Sequence, residues 1–138
     1  MTIIAACQSK NTMLETGIKG YKEQLVTDEL TAARIGSGLV SVFATPMMIA
    51  LMESTCADSV AAHLESGQGT VGTHVDVSHC AATPVGMKVR CESELLEIDR
   101  RRLVFKVTAS DERGLIGEGT HERFIIDSAK FQAKVDGK

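Results

Sequence analysis

Glu53 sits in the middle of what is otherwise the apolar stripe of a helix. From Thr45 and Pro46 the chain runs through Met47, Met48, Ile49, Ala50, Leu51 and Met52 straight into this carboxylate. With 3.6 residues per helical turn, Glu53 shares a face with Ile49, Cys56, Ala57, Val60 and Leu64, whereas Ser54, Thr55 and Asp58 point elsewhere. An ionised carboxylate among apolar neighbours must shift its pKa, find a partner or line a polar cavity. Each outcome is compatible with acid–base or nucleophilic chemistry. A second polar group in an apolar row is His79, which continues the alternation Val71, Thr73, Val75 and Val77. Its imidazole titrates near neutrality, as a proton-transfer group requires.

The elements that must hold these residues are legible from period and punctuation. Ile18 to Val26 reads as a first strand, and Thr27-Asp28-Glu29-Leu30 as a short helix start. Gly36-Ser37-Gly38 and the apolar stretch from Leu39 to Ala44 complete a segment, 27–44, with the character of a lid or entry loop. A helix is expected from Pro46 to about Leu64, with Thr45 as its cap, until Ser66-Gly67-Gln68-Gly69 stops it. From Thr70 the period changes from 3.6 to 2, and four strands follow. They are the Val71 to His79 row, Met87 to Ile98, Leu103 to Ser110 and Leu115 to Ile126. Turns are expected at Pro84-Val85-Gly86, at Asp99 to Arg102 and at Asp111 to Gly114, and the tail from Asp127 reads as polar and irregular. This order predicts an α+β domain, an antiparallel sheet wrapped on one helix. A helix apolar over much of its circumference also calls for cover by a curved sheet or a second subunit, so a homodimer is expected.

Composition excludes several function classes. At 138 residues and 43% hydrophobic, residues 1–138 suit one compact domain with its own core. The net charge of −3 and the 4% aromatic content argue against a nucleic-acid surface, Arg100-Arg101-Arg102 being a local exception. Cys7, Cys56, Cys80 and Cys91 form no CxxC pair and no metal-like cluster with histidine, so they read as reduced thiols of a cytoplasmic protein. The string before Cys7 is too short and lacks the basic start of a lipoprotein signal. No run approaches the roughly 18 apolar residues of a membrane span.

Three strings carry a family resemblance: Val42-Phe43-Ala44-Thr45 continuing to Leu51-Met52-Glu53, Val77-Ser78-His79-Cys80-Ala81-Ala82-Thr83-Pro84, and Gly119-Thr120-His121-Glu122-Arg123. Together with the element order they resemble the fluoroacetyl-CoA thioesterase branch of the hotdog-fold superfamily, from about residue 40 to Val135. The resemblance implies a hotdog fold and a catalytic set of Thr45, Glu53 and His79. It implies that Gly72 lies beside the acyl group and that Arg123 contributes to substrate binding, with neither a metal nor a redox cofactor. The phenylalanines that in this family shape a lid over the fluorinated acyl group have no counterpart in Ala33-Arg34-Ile35-Gly36-Ser37-Gly38-Leu39-Val40-Ser41. Thioester hydrolysis is thus implied more strongly than fluoroacetyl specificity.

Thioester hydrolysis needs a nucleophile or activated water, oxyanion stabilisation and a proton for the leaving thiolate. Glu53 suits the first role by direct attack or through water, His79 the proton transfers, and Thr45 the orientation of carboxylate or substrate. Each residue also has a plain structural reading. Thr45 would serve as a helix cap, His79 as a hydrogen-bonded core histidine and Glu53 as a polar contact at a subunit interface. Two other functions fit the same fold: a noncatalytic acyl-CoA binding or regulatory module, and a dehydratase or hydratase acting on the acyl chain.

Overall fold

The computed structural model describes residues 13–138, so Cys7 and its surroundings lie outside the described residues. Strand β1 spans Lys19–Leu25, followed by a single 3-10 turn at Asp28–Leu30 and the one-turn helix α1 at Ala32–Ile35. The long helix α2 occupies Thr45–Ala61. Four strands follow, β2 at Gln68–His79, β3 at Lys88–Asp99, β4 at Arg102–Asp111 and β5 at Gly114–Asp127. All neighbours are antiparallel, in the spatial order β1-β3-β4-β5-β2. The α+β architecture expected from the element order is the one observed.

Helix α2 presents Met48, Met52, Cys56 and Val60 to the inward residues of the sheet, chief among them Val89, Leu95, Leu103 and Phe105, and all eight are fully buried. The sheet curls round the helix with help from three β-bulges, each adding one residue and a local increase in twist. One of them matters for the site. In β2, Gly72 pairs with Arg123 and His74 with Glu122, leaving Thr73 as the extra residue. Strict alternation would put Gly72 and His79, seven positions apart, on opposite faces. The bulge turns both towards α2.

Two sequence expectations need correction. The tail forms a helix, α3, over Ser128–Asp136, because the Asp127 carboxylate accepts from the Lys130 amide and starts it. Thr45 is the first residue of α2 rather than its cap. Ala44 holds the cap position with extended backbone, its carbonyl accepting from the amides of Met47 and Met48. The Thr45 hydroxyl is therefore free for another partner.

The segment before α2 is tied at its base and open at its tip. Bridges pair Thr31 with Phe43 and Val42 with Pro84, while Gly36 ends α1 in the left-handed conformation at φ 87°. Beyond it Leu39 stands 97% exposed. Within the described residues, no helix is long and apolar enough to cross a membrane.

Phe105 is fully buried and stacks on His121 at 6.5 Å between ring centroids, so it links the core to the polar cluster above. Phe105→Ala is expected to lower unfolding free energy by about 3–5 kcal/mol, measured by chemical denaturation. A loss below 1 kcal/mol would show that the sheet closes over the vacated volume.

Candidate functional site

Two clusters flank α2, one at its first turn and one two turns further on. At the first, the Thr45 hydroxyl lies 2.7 Å from Nδ1 of His79, which ends β2. The pair borders a cleft of about 300 Å³ whose walls include Ala32, Ser37, Val42 and Phe43. Burial pushes the His79 pKa down from its ordinary 6.5, against a smaller opposing effect of the nearby Ala81 backbone. The ring is therefore neutral at pH 7. Its other nitrogen, Nε2, is buried and has no hydrogen-bond partner. If Thr45 donates to Nδ1, the ring proton resides on Nε2, leaving a donor that lacks an acceptor.

The second cluster is built round Glu53. Its side chain leaves the half-buried flank of α2, with Ile49 and Ala57 above and below, and faces edge strand β2. A Cβ placed on Gly72 would stand 2.7 Å from Oε2 of Glu53, 3.2 Å from Cε1 of His121 and 3.3 Å from Nη1 of Arg123. A side chain at Gly72 would push the Glu53 carboxylate out of this place, so glycine keeps the space the carboxylate occupies. Arg123, 8% exposed, is fixed by three hydrogen bonds: Nε donates to Thr70 Oγ1 at 2.7 Å, Nη2 to Thr70 O at 2.9 Å and Nη1 to His121 Nε2 at 3.1 Å.

That last bond requires a lone pair on His121 Nε2. Nδ1 of the same ring lies 2.8 Å from the carbonyl of His74, which can only accept, so Nδ1 carries the proton. His121 is thus a neutral imidazole in a defined tautomer. Burial lowers its pKa, and the adjacent Arg123 charge lowers it further, against the opposing bond to His74. Burial also lowers the Arg123 pKa from its ordinary value, opposed by the nearby Glu53 carboxylate. The cluster is an arginine whose hydrogen bonds go to neutral groups, with the Glu53 carboxylate near enough to act through space but not hydrogen-bonded to it.

The structure therefore brings together Thr45 with His79, and Glu53 with Gly72 and Arg123, but does not join the two groups within one chain. Thr45 and Glu53 are eight residues apart on one helix, which is roughly 12 Å of rise. His79 and Gly72 lie at opposite ends of most of β2, on the order of 20 Å apart. Arg123 turns its donors towards Thr70 and His121. The residues missed from sequence are His121 and Thr70. The available signal was the shared inward row of His121, Arg123 and Ile125 on β5, a histidine and an arginine where a sheet-facing strand should be apolar.

Comparison with known proteins bears on the family and the fold. Residues 26–129 match the profile of the family described as fluoroacetyl-CoA-specific thioesterase. A fluoroacetyl-CoA thioesterase from Streptantibioticus cattleyicolor is 47% identical over 97 residues, 70% of each chain. A solved structure of a fluoroacetyl-CoA thioesterase superposes with a TM-score of 0.86 at 37% identity, covering 91% of this chain and 97% of the other. A hot-dog-like protein from Thermanaerovibrio acidaminovorans, 19% identical, shares the fold with a TM-score of 0.81 over 91% of this chain and 93% of its own. With the profile spanning most of the sequence and a relative nearly half identical, the chain belongs to the fluoroacetyl-CoA-specific thioesterase family, hotdog-fold thioester hydrolases.

Proposed function

We propose that the chain hydrolyses a small acyl-CoA to the free acid and CoA, using Thr45, His79 and Glu53 in a site assembled from two copies of the chain. The observation that carries this reading is the complementarity of the two clusters. One leaves His79 Nε2 buried without a partner, and the other ends in a carboxylate beside a glycine on an open sheet edge. Strand β2 is a 12-residue edge with Val75 38% exposed, and a long unpaired edge is a template for another strand. Antiparallel pairing of β2 with its own copy, centred on Asp76 and with Thr73 left out as the extra residue, sets Gly72 opposite His79 of the partner subunit. Glu53 then faces the Thr45–His79 pair across the two-fold axis.

In such a site the acyl group lies between Gly72 and the first turn of α2, whose unpaired amides favour charge developing on the thioester oxygen. Glu53 acts on the acyl carbon by direct attack or by drawing a proton from water, and both routes need it ionised. The Nε2–H of neutral His79 donates a hydrogen bond to the sulfur as it departs as the thiolate, and Thr45 fixes the ring. Arg123 and His121 keep the carboxylate aimed. Ser37, in the cleft wall, shapes the entry for the acyl group.

Thiol release from a panel of short, branched, aromatic and halogenated acyl-CoAs tests the activity, with Glu53→Gln and His79→Ala each expected to lower kcat about 10²–10⁴-fold. Undiminished turnover by Glu53→Gln would sink the mechanism. Tight binding without thiol release would instead identify a binding module, and hydration of the acyl chain a hydratase. Mixing equal amounts of Thr45→Ala and Glu53→Gln proteins under exchanging conditions should restore about a quarter of wild-type activity, since half the dimers are mixed and each holds one intact site. A site confined to one chain predicts no recovery. The acid limb of kcat/KM is expected below pH 6.5, because burial lowers the His79 pKa and the ring must be neutral to accept from Thr45. A limb at or above pH 6.5 contradicts that assignment.

A further inference from the structure

The β3–β4 hairpin carries a feature that the acyl site leaves unused. Asp99 pairs with Arg102, so the loop consists of two residues, Arg100 and Arg101. Arg100 is the one non-glycine residue with positive φ among the described residues, at 59°. The first position of a two-residue hairpin is normally held by glycine, asparagine or aspartate, because a larger L side chain is disfavoured there. An arginine held in that conformation, next to a second arginine, costs stability and calls for a reason.

The surroundings supply one. Arg102, the third arginine, is already neutralised, donating to Glu122 at 3.0 Å and to Glu97 at 3.2 Å. Among the described residues, Arg100 and Arg101 form no ion pair; Arg101 only donates to the backbone carbonyl of Ile125, at 3.4 Å. Both line an open depression of about 590 Å³ with Asp99, Arg102 and Phe124. The Phe124 side chain is 42% exposed there, in a chain with only four phenylalanines, one tyrosine and no tryptophan. Two unpaired guanidiniums beside an open aromatic ring match a ligand that carries phosphates on a nucleoside: the cations take the phosphates and the ring takes the base. Asp99 is the one carboxylate in the lining, and it would face the sugar and base rather than the phosphates.

The position is also suitable. Phe124 follows Arg123 directly and pairs with Val71, the neighbour of Gly72. The Arg101 carbonyl accepts from the Ile125 amide, and Ile125 pairs with Thr70, which holds Arg123. The arginine hairpin thus stands on the outer face of the strand end whose inner face holds Glu53, and a flexible arm can pass round that end of the sheet. Resting on the acyl-CoA reading above, we propose that Arg100, Arg101 and Phe124 form the docking site for the nucleotide end of the CoA substrate, its 3′-phosphate, diphosphate and adenine. The arginine at the turn is kept despite its backbone cost because it places two cations on one short, stiff loop.

The test separates the nucleotide from the rest of the substrate. Arg100→Gly relieves the backbone and so should not unfold the hairpin; Arg101→Gln and Phe124→Leu remove charge and ring respectively. Each is expected to lower, about tenfold, the ratio of kcat/KM for an acyl-CoA to that for the same acyl group on pantetheine. Titration calorimetry with free CoA, which needs no turnover, should show a similar weakening. An unchanged ratio together with unchanged CoA affinity would overturn the proposal. So would a Phe124→Leu effect seen only in oligomeric state, which would make this surface a subunit contact. If the wild type binds CoA and the variants weaken it while no thioester is cleaved, the nucleotide site stands and the hydrolase reading falls.

Discussion

A carboxylate on the flank of a buried helix needs a favourable field and room, and the neighbourhood of Glu53 supplies both. Arg123 acts on it through space, and the missing side chain of Gly72 provides the room. Each then imposes its own condition. A buried guanidinium must have its donors satisfied, so Thr70 and His121 are drawn in, and His121 in turn must be neutral with its proton on Nδ1. The stack on Phe105 ties that histidine to the hydrophobic core. A single carboxylate thus determines residue types on three strands.

This arrangement separates strength from reactivity. The sheet-facing stripe of α2, from Met48 to Val60, is dry and supplies the packing that holds the domain. The Glu53 cluster and the Thr45–His79 pair lie on the side facing β2, where the sheet stops. Placing the carboxylate there avoids the full cost of burying it in the core. It also sets both groups along the same edge strand, as the proposed two-chain site requires.

The sequence exposed what periodicity can express. Glu53 stood out because a carboxylate interrupted a 3.6-residue row, and the four long strands stood out by alternation. His79 was placed by the same logic and Thr45 by the family resemblance, and the structure puts the two in contact. Periodicity could not express the parts set by non-local contacts. Thr45 reads as a cap in any local analysis, and only the Ala44 backbone and the His79 ring across the fold show otherwise. His121 was hidden because its significance depends on Arg123 and on a carbonyl from another strand. Helix α3 was missed because its apolar content is low and its start rests on one carboxylate.

The bulge at Thr73 was equally invisible, since nothing in Val71 to His79 breaks the alternation that a regular strand would show. Yet it converts an odd spacing into an even one, and the two ends of β2 serve the helix only under that conversion. The length of the strand between Gly72 and His79 is therefore quantised. Relatives of this chain can drift in sequence along that stretch, but with the bulge kept a net change of one residue would turn one functional end to the wrong side. Gains and losses should be found in twos, unless the bulge and its extra residue are lost together.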